Sequence, residues 1–241
     1  MDTSQLDKTQ LSRKKDQTAE MFDNISGNYD FLNHFLSAGI DILWRKKAIG
    51  KLTDHRPKTI LDIATGTADL AIEAMSLQPE NITGIDISVK MLDIGNKKIA
   101  SKKLNSHIQL QVGDAENLPF EDGAFDAVMS AFGVRNFENL EKGLKSMLRV
   151  MKKGGMVVIL EFSKPQTFPI SNIYKLYFKR ILPIIGKVIS NHNSAYTYLP
   201  NSVMEFPDGD DFLSIMSSCG FADCKKQRLS LGIVTIYTGI K

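Results

Sequence analysis

The chain has 241 residues, enough for one sizeable α/β domain or one domain with an accessory cap. A hydrophobic content of 43% and a charged content of 24% exclude a wholly disordered chain, and a net charge of +3 is too small to indicate nucleic acid by itself. Two cysteines, Cys219 and Cys224, and the scattered His34, His55, His107 and His192 make no metal-binding spacing, so no metal is expected.

Residues 1–17 read as a polar tail without the apolar stretch of a secretory signal. The longest apolar runs, such as Val157–Leu160, fall far short of the roughly 20 residues of a membrane span. A cytoplasmic protein with reduced thiols is the expectation. Over residues 18–57, Met21, Phe22, Ile25, Tyr29, Leu32, Phe35 and Leu36 recur at three- and four-residue steps, the period of an N-terminal helical cap. Pro57 ends it.

From Thr59 to Phe162 short apolar strands alternate with helical stretches, beginning with Thr59–Ile63, Asp69–Ser76 and Ile82–Ile85. Strands at Ile108–Gly113, Phe125–Ala131 and Met156–Phe162 follow, with helices at Val89–Ser101 and Leu140–Met151 between them. Such alternation predicts a doubly wound, Rossmann-like parallel sheet, and the continuous apolar strands fit burial on both faces. After a helix at Asp210–Cys219, two more strands, Lys225–Ser230 and Val234–Ile240, bring the total to seven, mostly parallel with an antiparallel C-terminal strand. One domain follows, its core built from 58–165 and 206–241, with 166–205 as an inserted helical cap. From Phe162 to Met204 there is no acidic residue, while Lys164, Lys175, Lys179, Arg180 and Lys187 are basic and seven residues are aromatic.

The first strand turns through Ala64-Thr65-Gly66-Thr67 into a helix near Asp69. Ligands of open α/β sheets bind at the carboxyl ends of strands where the strand order reverses. Gly66 lets the backbone turn tightly and approach a ligand. Asp86, at the end of the second strand and 20 residues after Gly66, can accept from both ribose hydroxyls. A dinucleotide site requires G-x-G-x-x-G, whereas these positions are Ala64, Gly66 and Asp69. An acid on the first helical turn repels a pyrophosphate. S-adenosylmethionine has no phosphate and carries a sulfonium and an ammonium, which Asp62 and Asp69 suit. Asp114, after the third strand, can accept from the adenine amino group while the Ala115 amide donates to the ring. The expected cofactor is therefore S-adenosylmethionine, bound by Asp62, Gly66, Thr67, Asp86, Asp114 and Ala115.

Three further stretches are distinctive. They are Tyr29-Asp-Phe-Leu-Asn33 with Leu36-Ser37 and Trp44-Arg45, then Ala131-Phe-Gly-Val-Arg-Asn136, and finally Arg149–Gly155 leading into Leu160–Pro165. With them the chain resembles the class I methyltransferases, and more narrowly the quinone-biosynthesis C-methyltransferases that finish menaquinone and ubiquinone. Departures from that pattern are Leu32 for Met, Asp41 for His, Lys153 for Pro and Ala131 for a serine that approaches the cofactor, so the serine's contact is not carried over. The resemblance implies cofactor binding at Thr67, Asp86 and the Asp114–Ala115 pair, and a reduced, prenylated quinol as substrate.

The chemistry agrees, because a quinone carbon is electron-poor whereas a quinol ring carbon becomes nucleophilic when its neighbouring hydroxyl ionises. Methyl transfer is a single in-line displacement that needs no protein nucleophile, only a ring carbon held about 3–3.5 Å from the methyl group. Phenols titrate near 10, so a positive neighbour helps, and Arg135 is the catalytic candidate. The alternative for Arg135 is a salt bridge to an acid near the cofactor. Tyr29, Asn33 and Asn136 are the substrate-binding candidates, with Asp30 and His34 beside them.

Demethylmenaquinol is the expected acceptor, with 2-methoxy-6-polyprenyl-benzoquinol the alternative. A methyltransferase acting on RNA or another small molecule is the reading from a different class, although nucleic acid is not the expected partner. The basic segment 166–205 suits peripheral contact with the inner membrane face, with Ile173, Tyr177, Ile181, Ile184 and Val188 against a prenyl tail. Packing of the same face on the sheet or on a second subunit, in a homodimer, is the competing expectation.

Overall fold

The computed structural model describes residues 18–24, 26, 37, 39–169, 171–172, 174 and 193–241. The seven strands are β1 (Thr59–Ile63), β2 (Asn81–Asp86), β3 (Ile108–Val112), β4 (Phe125–Ala131), β5 (Met151–Phe162), β6 (Ala222–Leu229) and β7 (Val234–Ile240). They form one sheet in the order β3-β2-β1-β4-β5-β7-β6. Pairing is parallel from β3 through β5, and β7 runs antiparallel between β5 and β6. The winding direction reverses between β1 and β4, so a crevice opens at their carboxyl ends.

Six helices are used below: α1 (Ile40–Ile49), α2 (Asp69–Ala74), α3 (Val89–Ser101), α4 (Leu140–Val150), α5 (Asn193–Glu205) and α6 (Asp210–Ser218). The period-2 alternation of each strand sorts its side chains onto two cores. Leu61, Ile63, Val128, Val157 and Ile159 face one way, against Leu144 and Met147 of α4 and Phe212 and Met216 of α6. Ile60, Ala127, Met129, Val158 and Leu160 face the other, against Trp44 and Ala48 of α1, Leu70 and Ala71 of α2 and Ile99 of α3. In α4 the buried Leu144, Met147 and Val150 recur every three residues, which gives the helix its single apolar face. Caps fix where helices start: Ser88 accepts from the Met91 amide ahead of α3, and Asn139 from the Lys142 amide ahead of α4.

The start of β5 differs from the sequence expectation of Met156. Met151 already pairs with Phe125, and the chain bulges out through Lys152–Gly155 before Met156 pairs with Ala127. Asp126 anchors this end of the sheet, accepting from the Lys58 and Thr59 amides, the Thr59 hydroxyl and Lys152. Burial opposes its ionisation, but these donors outweigh it and hold the carboxyl down at about 2. Among the described residues no helix is long and apolar enough to cross a membrane.

Candidate active site

The crevice at the ends of β1 and β4 is where the expected cofactor residues meet. One cleft is lined by Gly66, Asp86, Ile87, Met91, Gly113, Asp114, Ala115 and Asn136, with Thr18 and Phe22. A second recess, lined by Arg45, Asp62, Thr65, Thr67 and Asp69, shares Ala64, Gly66, Ala131 and Phe132 with it. The two adjoin across these shared residues.

The β1–α2 turn is bent sharply. Ala64 (φ 54°), Gly66 (φ 55°) and Ala68 (φ 68°) all adopt left-handed backbone, which costs a non-glycine residue about 1–2 kcal/mol. The bend aims the Gly66 amide at Asp86 Oδ2, 2.8 Å away, and the Ser88 amide donates to Oδ1 at 2.9 Å. Burial pushes the Asp86 carboxyl above its ordinary range, and these amide donors oppose the shift. Each oxygen keeps acceptor capacity for a further donor. Asp114 Oδ1 accepts from the Glu116 amide at 2.9 Å, which sets the loop after β3.

Asp62 is fully buried at the end of β1. Thr65 donates to its Oδ2 at 2.6 Å, while Oδ1 has no hydrogen-bond partner among the described residues. Burial raises its carboxyl to about 7, against the hydrogen bond from Thr65 and with help from nearby Asp86. Asp69, expected to face the cofactor's positive charge, lines the recess, is paired with Lys98 at 2.7 Å and lies 3.6 Å from Arg45. Lys98 also donates to the Thr67 hydroxyl at 2.9 Å. An acid on this turn needed a cation, and α3 supplies it.

Arg135, the catalytic candidate, follows β4 in the turn Val134–Asn136. Its side chain is 6% exposed and ion-paired at 2.8 Å with Glu161, which is itself fully buried. It donates to the Phe132 carbonyl and to Ser202, and stands over the Phe162 ring. A buried carboxylate requires a partner, and Arg135 is that partner. The ion pair named as the alternative for Arg135 is formed, with Glu161 as the acid. Asn136 does line the cleft, its amide oxygen accepting from Tyr198 of α5 at 3.0 Å. Tyr29, Asp30, Asn33 and His34 lie outside the described residues.

Sequence reasoning missed several participants. Phe132 has φ 59°, a genuine outlier for an aromatic residue, and packs on Trp44 and Phe162. Strain at a ligand site is a recurring functional marker. Gly133 follows because a Cβ there would lie 2.4 Å from that of Ala64. Arg45 was visible only as half of a Trp-Arg pair. Ile87, directly after Asp86, also lines the cleft, and its apolar side chain there was the signal that could have found it. Among the described residues no group of three or more His, Cys, Asp or Glu is placed to hold a metal.

The donor set fits S-adenosylmethionine. Asp86 lines the cleft with acceptor capacity that suits ribose hydroxyls, Ile87, Met91, Ala115 and Phe137 make an apolar slot, and the buried Asp62 Oδ1, without a hydrogen-bond partner among the described residues, suits a cationic donor. The model of the ubiE/COQ5 methyltransferase family matches residues 9–241. The chain belongs to that family. A demethylmenaquinone methyltransferase of Bacteroides fragilis is 46% identical over 230 residues, 95% of this chain and 94% of that protein. The ubiquinone/menaquinone biosynthesis C-methyltransferase UbiE of Geotalea daltonii is 46% identical over 233 residues, 96% and 99% of the two chains. A solved Thermotoga maritima structure, an S-adenosylmethionine-dependent methyltransferase and possible histamine N-methyltransferase, shares the fold. Its TM-score is 0.65 at 20% identity, over 92% of this chain and 99% of that one. This family member is an S-adenosylmethionine-dependent methyltransferase with a seven-stranded Rossmann-like sheet.

Proposed function

We propose that this ubiE/COQ5 family member methylates the ring of demethylmenaquinol to give menaquinol. The observation that carries the reading is that Asp86, Asp114–Ala115 and Asn136 line one cleft at the sheet's switch point. The cofactor supplies an electrophilic methyl group. On the protein side, Asp86 takes the ribose hydroxyls, Asp114 and the Ala115 amide take the adenine edge, and Gly66 lets the backbone come close. Asp62 and Thr67 stand at the methionyl end. Asn136, oriented by Tyr198, presents its amide to the ring together with Tyr29 and Asn33. Glu161 compensates the charge of Arg135, so we assign Arg135 a positioning role. It holds the strained Phe132 carbonyl and, through the adjacent backbone, Asn136.

The tail of a prenylated quinol lies in lipid, and a peripheral contact at the inner membrane face from the cytoplasm accounts for the basic segment 166–205 as an inserted cap. Within that segment Phe168 (77%) and Met204 (49%) are exposed apolar side chains. Liposome sedimentation with and without anionic lipid tests this contact. Absence of binding to both would leave the face to a second copy, and a homodimer in solution would then be the expected finding.

The deciding assay supplies radiolabelled S-adenosylmethionine and either prenylated demethylmenaquinol or 2-methoxy-6-polyprenyl-benzoquinol, each kept reduced. Label in the naphthoquinol ring is expected. Label in the benzoquinol alone would assign the chain to ubiquinone chemistry, and label in neither would overturn the quinol reading.

A further inference from the structure

S-adenosylmethionine carries opposite charges at its methionyl end, an ammonium and a carboxylate. The recess beside Gly66 offers an acid for the first, Asp62. Among the described lining residues it also offers one group of the opposite sign, the guanidinium of Arg45 on α1. We propose that Arg45 binds the cofactor's carboxylate, an assignment that rests on the cofactor placement given above.

The surroundings of Arg45 support this. Its side chain is only 9% exposed, yet among the described residues a single close acceptor serves it, Asp41 Oδ2 at 2.6 Å, one turn earlier on the same helix. Asp69 is 3.6 Å away and already engaged by Lys98 at 2.7 Å. A guanidinium has five N–H donors in a rigid fork that matches a carboxylate, and burying them without acceptors is costly. A purely structural pair would tie two elements together. The close Asp41–Arg45 pair lies within α1 and holds the fork in one orientation, and the looser 3.6 Å approach to Asp69 is what reaches α2. Asp41 is itself fixed by the Ser37 hydroxyl at 2.6 Å. Arg45 lines the recess together with Asp62, whose Oδ1 has no hydrogen-bond partner among the described residues. The recess thus holds an acceptor for the ammonium and a donor fork for the carboxylate.

The test is calorimetry on the full chain with two ligands, S-adenosylmethionine and decarboxylated S-adenosylmethionine, which keeps the sulfonium and ammonium. Arg45→Ala should weaken the first roughly 10- to 100-fold, the worth of a charge-assisted hydrogen-bonded pair, and leave the second within about threefold. Arg45→Lys, which keeps the charge and the Asp41 partner but loses the fork, should fall between. Melting without ligand establishes that each variant folds. Equal losses for both ligands, or no loss for either, would overturn the assignment. If Arg45→Ala does not fold, the wild type's preference for the carboxylated ligand must still shrink in Arg45→Lys, and an unchanged preference would overturn it. Asp86→Asn separates the two levels. Unchanged affinity for both ligands in that variant would remove the cofactor placement itself, whatever Arg45 does.

Discussion

Asp62 combines complete burial, a hydrogen bond from Thr65 on one oxygen and no partner on the other among the described residues. Its carboxyl is raised to about 7 from 3.8, chiefly by burial. The unfolded chain therefore loses this proton near pH 4 while the folded chain keeps it to about pH 7. Between those values the folded state binds more protons, so the contribution of Asp62 to stability falls as pH rises and levels off above about 7. Asp62→Asn should flatten that slope in urea titrations run from pH 4.5 to 8 (roughly the window between the two pKa values). A cationic ligand favours the ionised form, so cofactor binding should release a proton below about pH 7 and tighten as pH rises through it. Calorimetry in buffers of different ionisation enthalpy reads that proton. A pH-independent affinity that matches Asp62→Asn would exclude Asp62 from the methionyl end.

At the scale of elements, the 3-10 turn Val134–Asn136 after β4 is a junction. Arg135 joins it to Glu161 on β5 and to Ser202 on α5, and Asn136 joins it to Tyr198 on α5. Removing Arg135 leaves a buried carboxylate unpaired, so Arg135→Ala should cost about 3–5 kcal/mol of stability by denaturant unfolding. The paired change Arg135→Met with Glu161→Gln removes both charges and should recover most of that loss. The paired variant should still turn over slowly while its cofactor affinity stays near wild type, because Phe132 and Asn136 lose their brace. Full recovery of kcat along with stability would reduce Arg135 to a structural residue. Loss of cofactor affinity would move it into the cofactor pocket.

Across the whole molecule, the site exists because the sheet changes winding direction between β1 and β4. The helical stretch 18–24 closes the cleft from outside, with Asp23 accepting from the Ser88 hydroxyl at 2.5 Å and Thr18 and Phe22 in the lining. Adding S-adenosylmethionine should therefore protect backbone amides from hydrogen exchange at 62–67, 86–91, 113–116, 131–137 and 18–24 together. The opposite end of the sheet, around Lys58 and Asn81, should exchange as before. Protection confined to the N-terminal stretch, or spread evenly over the sheet, would contradict a ligand at the switch point.

Much of this was legible in the sequence. The bounds of β1, β4 and β7 match the apolar runs, because strands covered on both faces admit few polar residues. Gly66, Asp86 and Asp114 pointed to the expected cofactor end because each falls at the end of a strand or within three residues of it. The bulge of β5 was hidden, since Lys152-Lys153-Gly154-Gly155 reads as a break until Phe125 is seen to pair with Met151. The Tyr29 and Asn33 expectations fall on residues outside those described.

The sequence by itself determined the alternation of strands and helices, the glycine turn and the acids at three strand ends, since these depend on local periodicity and short spacing. Only the tertiary structure decided which charges meet. Asp69 was cancelled by Lys98 from α3, Arg135 was claimed by Glu161 from β5, and Arg45 was carried by α1 into the recess beside Asp62. Partners on different elements are chosen by packing, and burial then makes each pairing obligatory.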